Sequence, residues 1–391
     1  MAHGPVRIRW PWLVAALLLA SPVWWASSLQ LTLFSQTAAT AVVCLSLALL
    51  MGQGGMVSFG HAVYSGLGGF AVLHALNAMP AGHSAAWVPA LPLLGAAAGA
   101  AAAALLGWLC TRQAGLSFAM ISLGLGELVY AGALMWPEVF GGEAGVRADR
   151  AQGRPWLGLD FAAPAQVYAL VAAYALAAAA LAAFLPRTPF GLVLAAVRDN
   201  PGRAAGLGHD PHRVRWIAFT LAGAGAGLGG ALLALVFESV SAEAMSGLRS
   251  GTLLLFTFVG GAAGLAGPLL GAVLLVGATV WLSSWTQAWG LYVGVLFLAV
   301  VMGAPGGLAA WLRGLRWRLD ARGTVRAAAA LALSAGLMLA LEMLYHRQLQ
   351  SALGPQLRWA GLNLDTGQPG PWLAALGLAV GGAVSWRWAR R

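Results

Sequence analysis

Four polar side chains stand out because they interrupt segments that are otherwise strongly apolar. Ser58 and His61 belong to a glycine-rich stretch, residues 52–62, that opens an apolar run, and Ser122 and Glu127 lie inside a second run. A carboxylate at membrane depth is costly, so it usually faces a cavity or pairs with a polar group. A neutral His61 is a possible partner for Glu127, which would lower the cost of burying the carboxylate. These four residues are therefore candidates for contacting a polar solute that crosses a membrane.

Each of these candidates also has a purely structural interpretation. Ser58 could cap a helix that begins beside it, in a flexible cytoplasmic turn. Alternatively, glycine-rich backbone at membrane depth could turn its amide groups towards a solute. Glu127 could hydrogen-bond a neighbouring helix and have no other role. Residue types alone do not decide between these interpretations.

The composition indicates a membrane protein. Hydrophobic residues make up 60% of the chain and charged residues 9%, whereas a soluble domain carries about a quarter charged residues. The outer surface must therefore face lipid, which predicts an all-α, polytopic bundle of transmembrane helices. Arg7 and Arg9 precede the first apolar run, which is interpreted as an uncleaved transmembrane helix because no clear cleavage site follows it.

The apolar runs predict ten to twelve membrane spans. A bilayer core about 30 Å thick needs about 20 apolar residues per helix. Runs of this kind occupy residues 10–29, 31–51, 60–79, 85–110, 115–136, 164–185, 216–237, 268–286, 288–305, 324–345 and 371–388. Residues 251–266 are also apolar but short, so they form either a further span or a re-entrant pair of half-helices shielded by protein.

The arginines predict the orientation. The chain contains no lysine, and all 22 of its basic residues are arginine. With the N-terminus in the cytoplasm and twelve crossings, sixteen arginines fall inside and six outside, which agrees with the positive-inside rule and places both termini in the cytoplasm. A re-entrant segment at 251–266 would abolish this bias, so the arginine count favours a full span there.

No motif for catalysis or for nucleotide binding is present in the sequence. A chain without lysine cannot contain a phosphate-binding GxxxxGK[ST] loop, and HExxH, GxSxG and paired carboxylates are also absent. The GxGxxG match at residues 225–230 lies inside an apolar span and is interpreted as packing glycine, as are the pairs Gly260/Gly264 and Gly267/Gly271. Cys44 and Cys110 predict neither a disulfide nor a zinc site. We therefore expect no enzyme activity, cofactor, metal or nucleic-acid partner.

The arginine-rich segment at residues 186–208 has an internal pattern. It reads as a short amphipathic helix, a polar break from Asp199 to Gly202, and then a stretch of small residues ending at Gly208. A solvated loop is the simplest interpretation. However, Ala204, Ala205 and Leu207 would form an apolar surface suited to a partner protein.

Several ordered motifs resemble the permease family of branched-chain amino acid ABC importers. The pattern GxxSxGHA stands at Gly55–Ala62, and residues 115–127 resemble the family's intramembrane segment that ends in Gly-Glu. The resemblance runs from about residue 38 to 312. The remaining motifs are Pro189-Phe190-Gly191, Arg198-Asp199-Asn200, Ala204-Ala205, Gly206-Leu207-Gly208, Gly260-Gly261, Gly264, Gly267-Pro268 and Pro305-Gly306-Gly307-Leu308.

This resemblance implies roles for particular residues. The translocation pathway would include Ser58, His61, Ser117, Ser122 and Glu127. The ATPase-coupling loop would comprise Arg198, Asp199, Asn200, Ala204, Ala205, Gly206 and Gly208. The sequence departs from the family at Ser117, where tyrosine is common, at Ser122, where threonine is common, and at the external turn 141–145. These departures leave the exact solute open.

The resemblance also implies an assembly and a function. Residues 1–312 would form an importer permease domain, and residues 313–391 an extension with two additional transmembrane helices. The expected partners are a second permease subunit, two ATP-binding subunits and a periplasmic solute-binding protein, in the inner membrane of a bacterium. The expected solutes are branched-chain or other hydrophobic amino acids. The alternatives are a urea or short-chain amide importer and an ATP-independent transporter or channel. Because the resemblance ends near residue 312, truncation after Arg322 is expected to leave appreciable uptake.

Overall fold

The computed structural model describes residues 19, 21–80, 84–151, 155, 158, 160–286, 288–304, 306–314, 321–349, 356–359 and 362–388. The chain divides into two compact units. One contains Met1–Val276 and Ala299–Trp311, and the other contains Gly277–Leu298 and Leu312–Arg391. Most of the predicted first span, residues 10–29, lies outside the described residues. The arginines at positions 7, 9, 154, 390 and 391 also lie outside them.

Long apolar helices make up most of the first unit, as the sequence predicts. Its helices are α1 Ser28–Ala48, α2 His61–Ala78, α3 Leu91–Cys110, α4 Leu116–Met135, α5 Pro164–Phe184, α6 Pro189–Asp199, α7 Pro201–Gly206, α8 Pro211–Phe237, α9 Gly247–Gly260 and α10 Ala266–Val276. A π-helical turn, Leu49–Gln53, extends α1, and the 3₁₀ turns Leu185–Arg187 and Ala242–Met245 precede α6 and α9. Shorter helices occupy Pro22–Trp25, Ser84–Trp87 and Pro137–Phe140.

The described part of the chain has six helices that are long and apolar enough to cross a membrane. They are Ser28–Gln53, Leu91–Cys110, Leu116–Met135, Pro164–Arg187, Pro211–Phe237 and Ala266–Trp285, and the bent pair Trp289–Gly303 with Leu308–Gly314 would make a seventh. The polytopic helical fold is therefore confirmed. The number predicted from the sequence is higher because it also includes residues 10–29, residues 324–345, the more polar helix α2, and the shorter helices Gly247–Gly260 and Pro369–Ser385.

Glycines of α8 let neighbouring helices approach it closely. A Cβ atom at Gly227 would collide with the carbonyl oxygen of Gly95 on α3, and one at Gly68 on α2 would collide with the backbone of Gly227. Gly230 meets the backbone of Ser65 in the same way. Backbone contact of this kind gives membrane helices van der Waals attraction without a hydrophobic driving force. The interpretation of residues 225–230 as packing glycine is confirmed.

Residues 251–266 do not form one continuous helix, and the full span that the arginine count favours stays a prediction. Helix α9 has 14 residues and ends at Gly261, whose φ of 110° suits glycine. At 1.5 Å per residue it is about 21 Å long, which is less than the bilayer core. Residues 262–265 form a turn, and α10 then packs back against α9 with Gly267 and Gly271 against the backbone at Gly260. Gly264, with a φ of 79°, lies in this turn, so the predicted Gly260/Gly264 helix-packing pair is wrong.

A short antiparallel strand pair joins two connections outside the long helices. Strand β1, Val146–Arg147, pairs with β2, Ser239–Val240, in the register Val146↔Val240. Arg150 reinforces this region, because its Nη1 atom donates to the carbonyl oxygen of Leu235 at 2.6 Å and forms an ion pair with Glu238 at 3.4 Å. The connection after α4 is thereby held against the carboxyl end of α8.

The second unit contains helical segments at both positions predicted for the extension. Helices α12, Ala321–Leu349, and α13, Pro369–Trp388, are joined through strands β3, Gln356–Trp359, and β4, Leu362–Asp365. Gly336 packs against the backbone of Ala375 and Ala379. This unit also contains the π-helical turn Gly277–Leu282, helix Ser283–Trp285 and the start of α11, Trp289–Gly303.

Candidate functional site

The glycine-rich stretch between α1 and α2 leaves the helical conformation before it re-enters it. The π-helical turn ends at Gln53, Gly55 has a φ of 63°, and residues 55–58 are non-helical. Helix α2 then begins at His61 with Gly60 as its N-cap. A Cβ atom at Gly60 would collide with the carbonyl oxygen of Ser122, so only glycine permits this approach of the chain to α4.

Three serine hydroxyls from three other helices surround the start of α2. The Oγ atom of Ser46 lies 2.8 Å from His61 Nε2, Ser122 Oγ accepts from Phe59 N at 3.1 Å, and Ser250 Oγ accepts from Ala62 N at 3.0 Å. All three serines are buried. We call Ser46, Ser58, His61, Ser122 and Ser250 the polar cluster. It contains three of the predicted pathway residues and two serines, on α1 and α9, that sequence reasoning missed.

Ser58 is not the helix cap that the structural interpretation would require. The N-cap position belongs to Gly60, and Ser58 and His61 are both 0% exposed. Among the described residues, neither Ser58 Oγ nor His61 Nδ1 has a hydrogen-bond partner. Buried polar groups are normally satisfied, so the polar cluster has spare hydrogen-bonding capacity.

Glu127 and His61 do not pair. Glu127 Oε1 instead accepts a hydrogen bond from Gly247 N at 2.9 Å, at the start of α9, while His61 Nε2 bonds Ser46. Glu127 is exposed, unlike the polar cluster. The suggested His61–Glu127 partnership is therefore wrong, and the hydrogen bond of the structural interpretation of Glu127 is present at Gly247.

Glu127 lines an acidic cleft of about 480 Å³. The cleft also contains Glu143, Glu243, Tyr130 and Ser246. Carboxylates that line an open cleft attract cationic groups by their combined field. Within the described residues, no group of three His, Cys, Asp or Glu side chains could hold a metal ion.

Ser117 lies apart from the other pathway candidates. It is exposed near the beginning of α4, five residues before the buried Ser122. Five residues rotate the helix by about 140°, so the two side chains point to different faces. The same helix exposes Leu116, Met120 and Leu128, and Ser117 belongs to this outward side.

The segment predicted as a coupling loop folds into two helices with a cap between them. Thr188 Oγ1 caps α6 by accepting from Gly191 N at 3.2 Å, and Asn200 Oδ1 caps α7 by accepting from Arg203 N at 2.9 Å. The polar break predicted at Asp199–Gly202 contains this second cap. Gly208, with a φ of 88°, ends the small-residue stretch.

The apolar surface predicted on this segment is smaller than expected. Ala204 is 2% exposed and packs in the core with Leu194 and Val197, whereas Leu207 is 75% exposed. Ala205, Gly206 and Gly208 are also exposed. Ala204 is therefore a core residue, and the surface open to a partner comprises Ala205, Gly206, Leu207 and Gly208.

Two charged residues take positions that sequence reasoning did not assign to them. Arg249, counted among the external arginines, lies partly buried near the start of α9.

In the second unit, Glu342 is 5% exposed and accepts hydrogen bonds from Tyr292 Oη at 2.8 Å and from Thr286 Oγ1. Glu342 is thus a second acidic residue, besides Glu127, that lies inside a predicted apolar span. The sequence could have indicated Glu342 as a buried polar residue, because it is a carboxylate inside the predicted 324–345 span.

Residues 29–305 match the sequence model of a family described as "Branched-chain amino acid transport system / permease component". This chain belongs to that family. The predicted family resemblance is therefore confirmed over about seven-tenths of the sequence. The family assignment also agrees with the several apolar helices that are long enough to cross a membrane.

Two curated relatives have similar descriptions. The "High-affinity branched-chain amino acid transport system permease protein LivM" of Salmonella typhimurium is 27% identical over 331 residues, covering 79% of this chain and 73% of the relative. The LivM protein of Escherichia coli is 27% identical over 293 residues, covering 68% and 67%. No solved structure matches the chain.

Proposed function

We propose that this chain forms the translocation pathway of an ATP-driven importer for branched-chain or other hydrophobic amino acids. It would work with a second permease subunit, two ATP-binding subunits and a solute-binding protein. The permease family and the two LivM relatives support this proposal. In the orientation that the arginine distribution favours, both termini are cytoplasmic and the membrane is the bacterial inner membrane.

The main structural observation that supports the proposal is the position of Glu127. This carboxylate is exposed on α4, a helix that also exposes the apolar side chains of Met120 and Leu128. A charged group facing the bilayer centre costs about 3 kcal/mol on insertion scales, so such residues face protein or a water-filled cavity. A second permease covering this side of α4 would enclose the acidic cleft between the two subunits and create a path with polar contacts.

Glu127 and the cleft suit the ammonium group of an amino acid. Glu127, Glu143 and Glu243 line the cleft together, and their negative potential would attract the positive end of a zwitterion. The apolar residues beside them would contact a hydrophobic side chain. Contacts of this kind are weak individually, as required of a pathway that must release its solute.

The two helices after residue 188 support coupling to separate ATPase subunits. Ala205, Gly206, Leu207 and Gly208 present a small, exposed, partly apolar patch. A helix or loop with such a patch fits a groove on a partner protein. Movement of the ATPase pair would be transmitted to the membrane helices through this contact.

Reconstituted transport tests the proposal. The chain is placed in liposomes with its second permease, its two ATP-binding subunits and its solute-binding protein, and uptake of radiolabelled leucine and urea is measured with and without internal ATP. We expect leucine uptake that requires ATP and every subunit. Uptake without the ATP-binding subunits would indicate a secondary transporter or a channel. ATP-dependent uptake of urea but not of leucine would overturn the proposed solute.

A further inference from the structure

Arg198 connects the coupling helices to the glycine-rich stretch. Its Nη1 atom donates a hydrogen bond to the carbonyl oxygen of Gly52 at 2.5 Å, across 146 positions of sequence. The backbone also approaches the arginine stem so closely that a Cβ atom at Gly55 would lie 2.7 Å from Arg198 Cγ. Residues 52–55 therefore lie directly against the last turn of α6.

The remaining groups of the Arg198 guanidinium are also engaged within the chain. Nε donates to Asp199 Oδ1 at 2.9 Å, and Nη2 forms an ion pair with the same oxygen at 2.9 Å. Asp199 thus orients the guanidinium towards Gly52. An arginine bound in this way holds an internal contact and is poorly placed to serve as a free docking group for a partner.

Apolar packing reinforces the same junction. Leu194 and Val197 of α6 are buried in one core cluster with Leu50 and Met56, which flank Gly52–Gly55. A Cβ atom at Gly54 would lie 3.7 Å from Leu194 Cδ1. Because cores pack densely, they transmit displacement more readily than they absorb it. A shift of α6 would therefore displace residues 50–56.

Residues 52–60, which we call the linker, end at the polar cluster. At the other end of the linker, Phe59 N bonds Ser122, and the first residues of α2 bond Ser46 and Ser250. An extended chain spans at most about 3.5 Å per residue. A displacement of Gly52 that stretches the linker to this limit must therefore also displace Phe59. Gly52 also touches the carbonyl oxygen of Ala262 in the α9–α10 turn, which brings a second helix pair into contact with the linker.

We propose that Arg198 is a positioning residue that transmits movement of the coupling helices to the polar cluster through residues 52–60. This inference rests on the proposed function and adds a route inside the protomer. The bond from Arg198 to Gly52 connects α6 to the linker, and the serine contacts at Phe59 and Ala62 connect the linker to α4 and α9. In this arrangement Arg198 acts on transport without touching either the solute or the ATPase.

Three variants test the proposal in the assembled complex. Arg198→Gln removes the charged donor to Gly52, Arg198→Lys keeps a cationic donor, and Arg187→Gln removes an exposed arginine of the same segment that lies before α6. We expect Arg198→Gln to assemble with its ATPase subunits. Its solute-stimulated hydrolysis and its uptake per complex should fall about fivefold, the factor expected for one lost hydrogen bond. Arg198→Lys should recover part of this loss, and Arg187→Gln should match the unmodified complex.

Hydrogen exchange supplies a readout that does not depend on solute or ATPase. In the purified permease, Arg198→Gln should accelerate amide exchange over residues 52–60 by about fivefold, while Arg187→Gln should not. Unchanged exchange in Arg198→Gln would overturn the inference even if that variant failed to assemble. Normal stimulated hydrolysis per complex would also overturn it. If the unmodified complex does not import amino acids, the proposed function fails, and the exchange result still decides whether Arg198 holds the linker.

Discussion

Glu127 and Gly247 join two segments that lie 120 positions apart in the sequence. The carboxylate oxygen Oε1 accepts a hydrogen bond from the amide of Gly247 at 2.9 Å, where helix α9 begins. A Cβ atom at Gly247 would collide with this oxygen, so glycine permits the contact. The negative charge also complements the positive end of the α9 dipole. Glu127 therefore has a structural role in addition to the transport role proposed for it.

Substitutions of Glu127 should separate these two roles. Glu127→Gln keeps an acceptor oxygen for Gly247 but removes the charge, so we expect normal assembly and a several-fold loss of uptake. Glu127→Leu removes the acceptor as well, and the lost hydrogen bond to Gly247 should cost about 1 kcal/mol and reduce assembly. The measurement is leucine uptake normalised to the amount of assembled complex. If both variants transport at the unmodified rate per complex, Glu127 is not part of the pathway.

Adjacent alanines in helix α7 should respond differently to the same substitution. Ala205 is exposed, so Ala205→Glu should insert and fold normally but lose solute-stimulated ATP hydrolysis if this surface contacts the ATPase. Ala204 is buried, so Ala204→Glu should lower the amount of folded permease, because it buries an unpaired charge and overpacks the core. The two quantities to measure are stimulated hydrolysis per complex and monomer recovery in detergent. Equal stimulation in Ala205→Glu and the unmodified protein would remove this surface from the coupling mechanism.

Orientation in the membrane can be tested with reporter fusions. The arginine distribution predicts that residue 149 lies in the periplasm and residue 203 in the cytoplasm. An alkaline phosphatase fusion after Asp149 should be active and one after Arg203 inactive, whereas green fluorescent protein fusions should show the opposite pattern. The same result at both sites would contradict the number of crossings predicted between them.

The sequence predicts the helices better than it predicts their polar contacts. Apolar runs locate most of the helices because lipid requires long apolar segments whose backbone is satisfied internally. Ser46 illustrates the limit. A serine in such a helix usually bonds a carbonyl of its own helix, as Ser35 does with Leu31. Ser46 makes such a bond and also reaches His61, and nothing in its sequence neighbourhood distinguishes it from Ser35.

The arginine count could not predict the helix break inside residues 251–266, for a physical reason. The count measures charge in connections and contains no information on helix length or on turns. Gly261 and Gly264 both adopt positive φ angles, which end α9 and form the turn to α10. A GxxxG spacing is equally compatible with a helix interface and with a turn, so the spacing of Gly260 and Gly264 was ambiguous.

The buried contact of Glu342 changes what is expected of the C-terminal extension. Sequence resemblance alone predicts that truncation after Arg322 leaves appreciable uptake. However, Glu342 accepts hydrogen bonds from Tyr292 and Thr286, two residues of the family region. Truncation removes the acceptor and leaves two donors in an apolar environment. We now expect the truncated protein to accumulate at lower levels and to unfold at a lower temperature.

Point substitutions separate this contact from other effects of truncation. Tyr292 Oη donates to Glu342 at 2.8 Å and to the carbonyl oxygen of Met338 at 3.4 Å. Glu342→Leu should destabilise the protein by about 1–3 kcal/mol, because it removes the shorter of these two bonds and the acceptor of Thr286 Oγ1. Glu342→Gln keeps an acceptor oxygen and should be milder. Replacing both partners with apolar groups can be nearly neutral, so adding Tyr292→Phe to Glu342→Leu should recover part of the loss. Thermal unfolding in detergent measures these differences. If Glu342→Leu and the unmodified protein unfold at the same temperature, this contact does not stabilise the second unit, and the extension would again be expected to be dispensable.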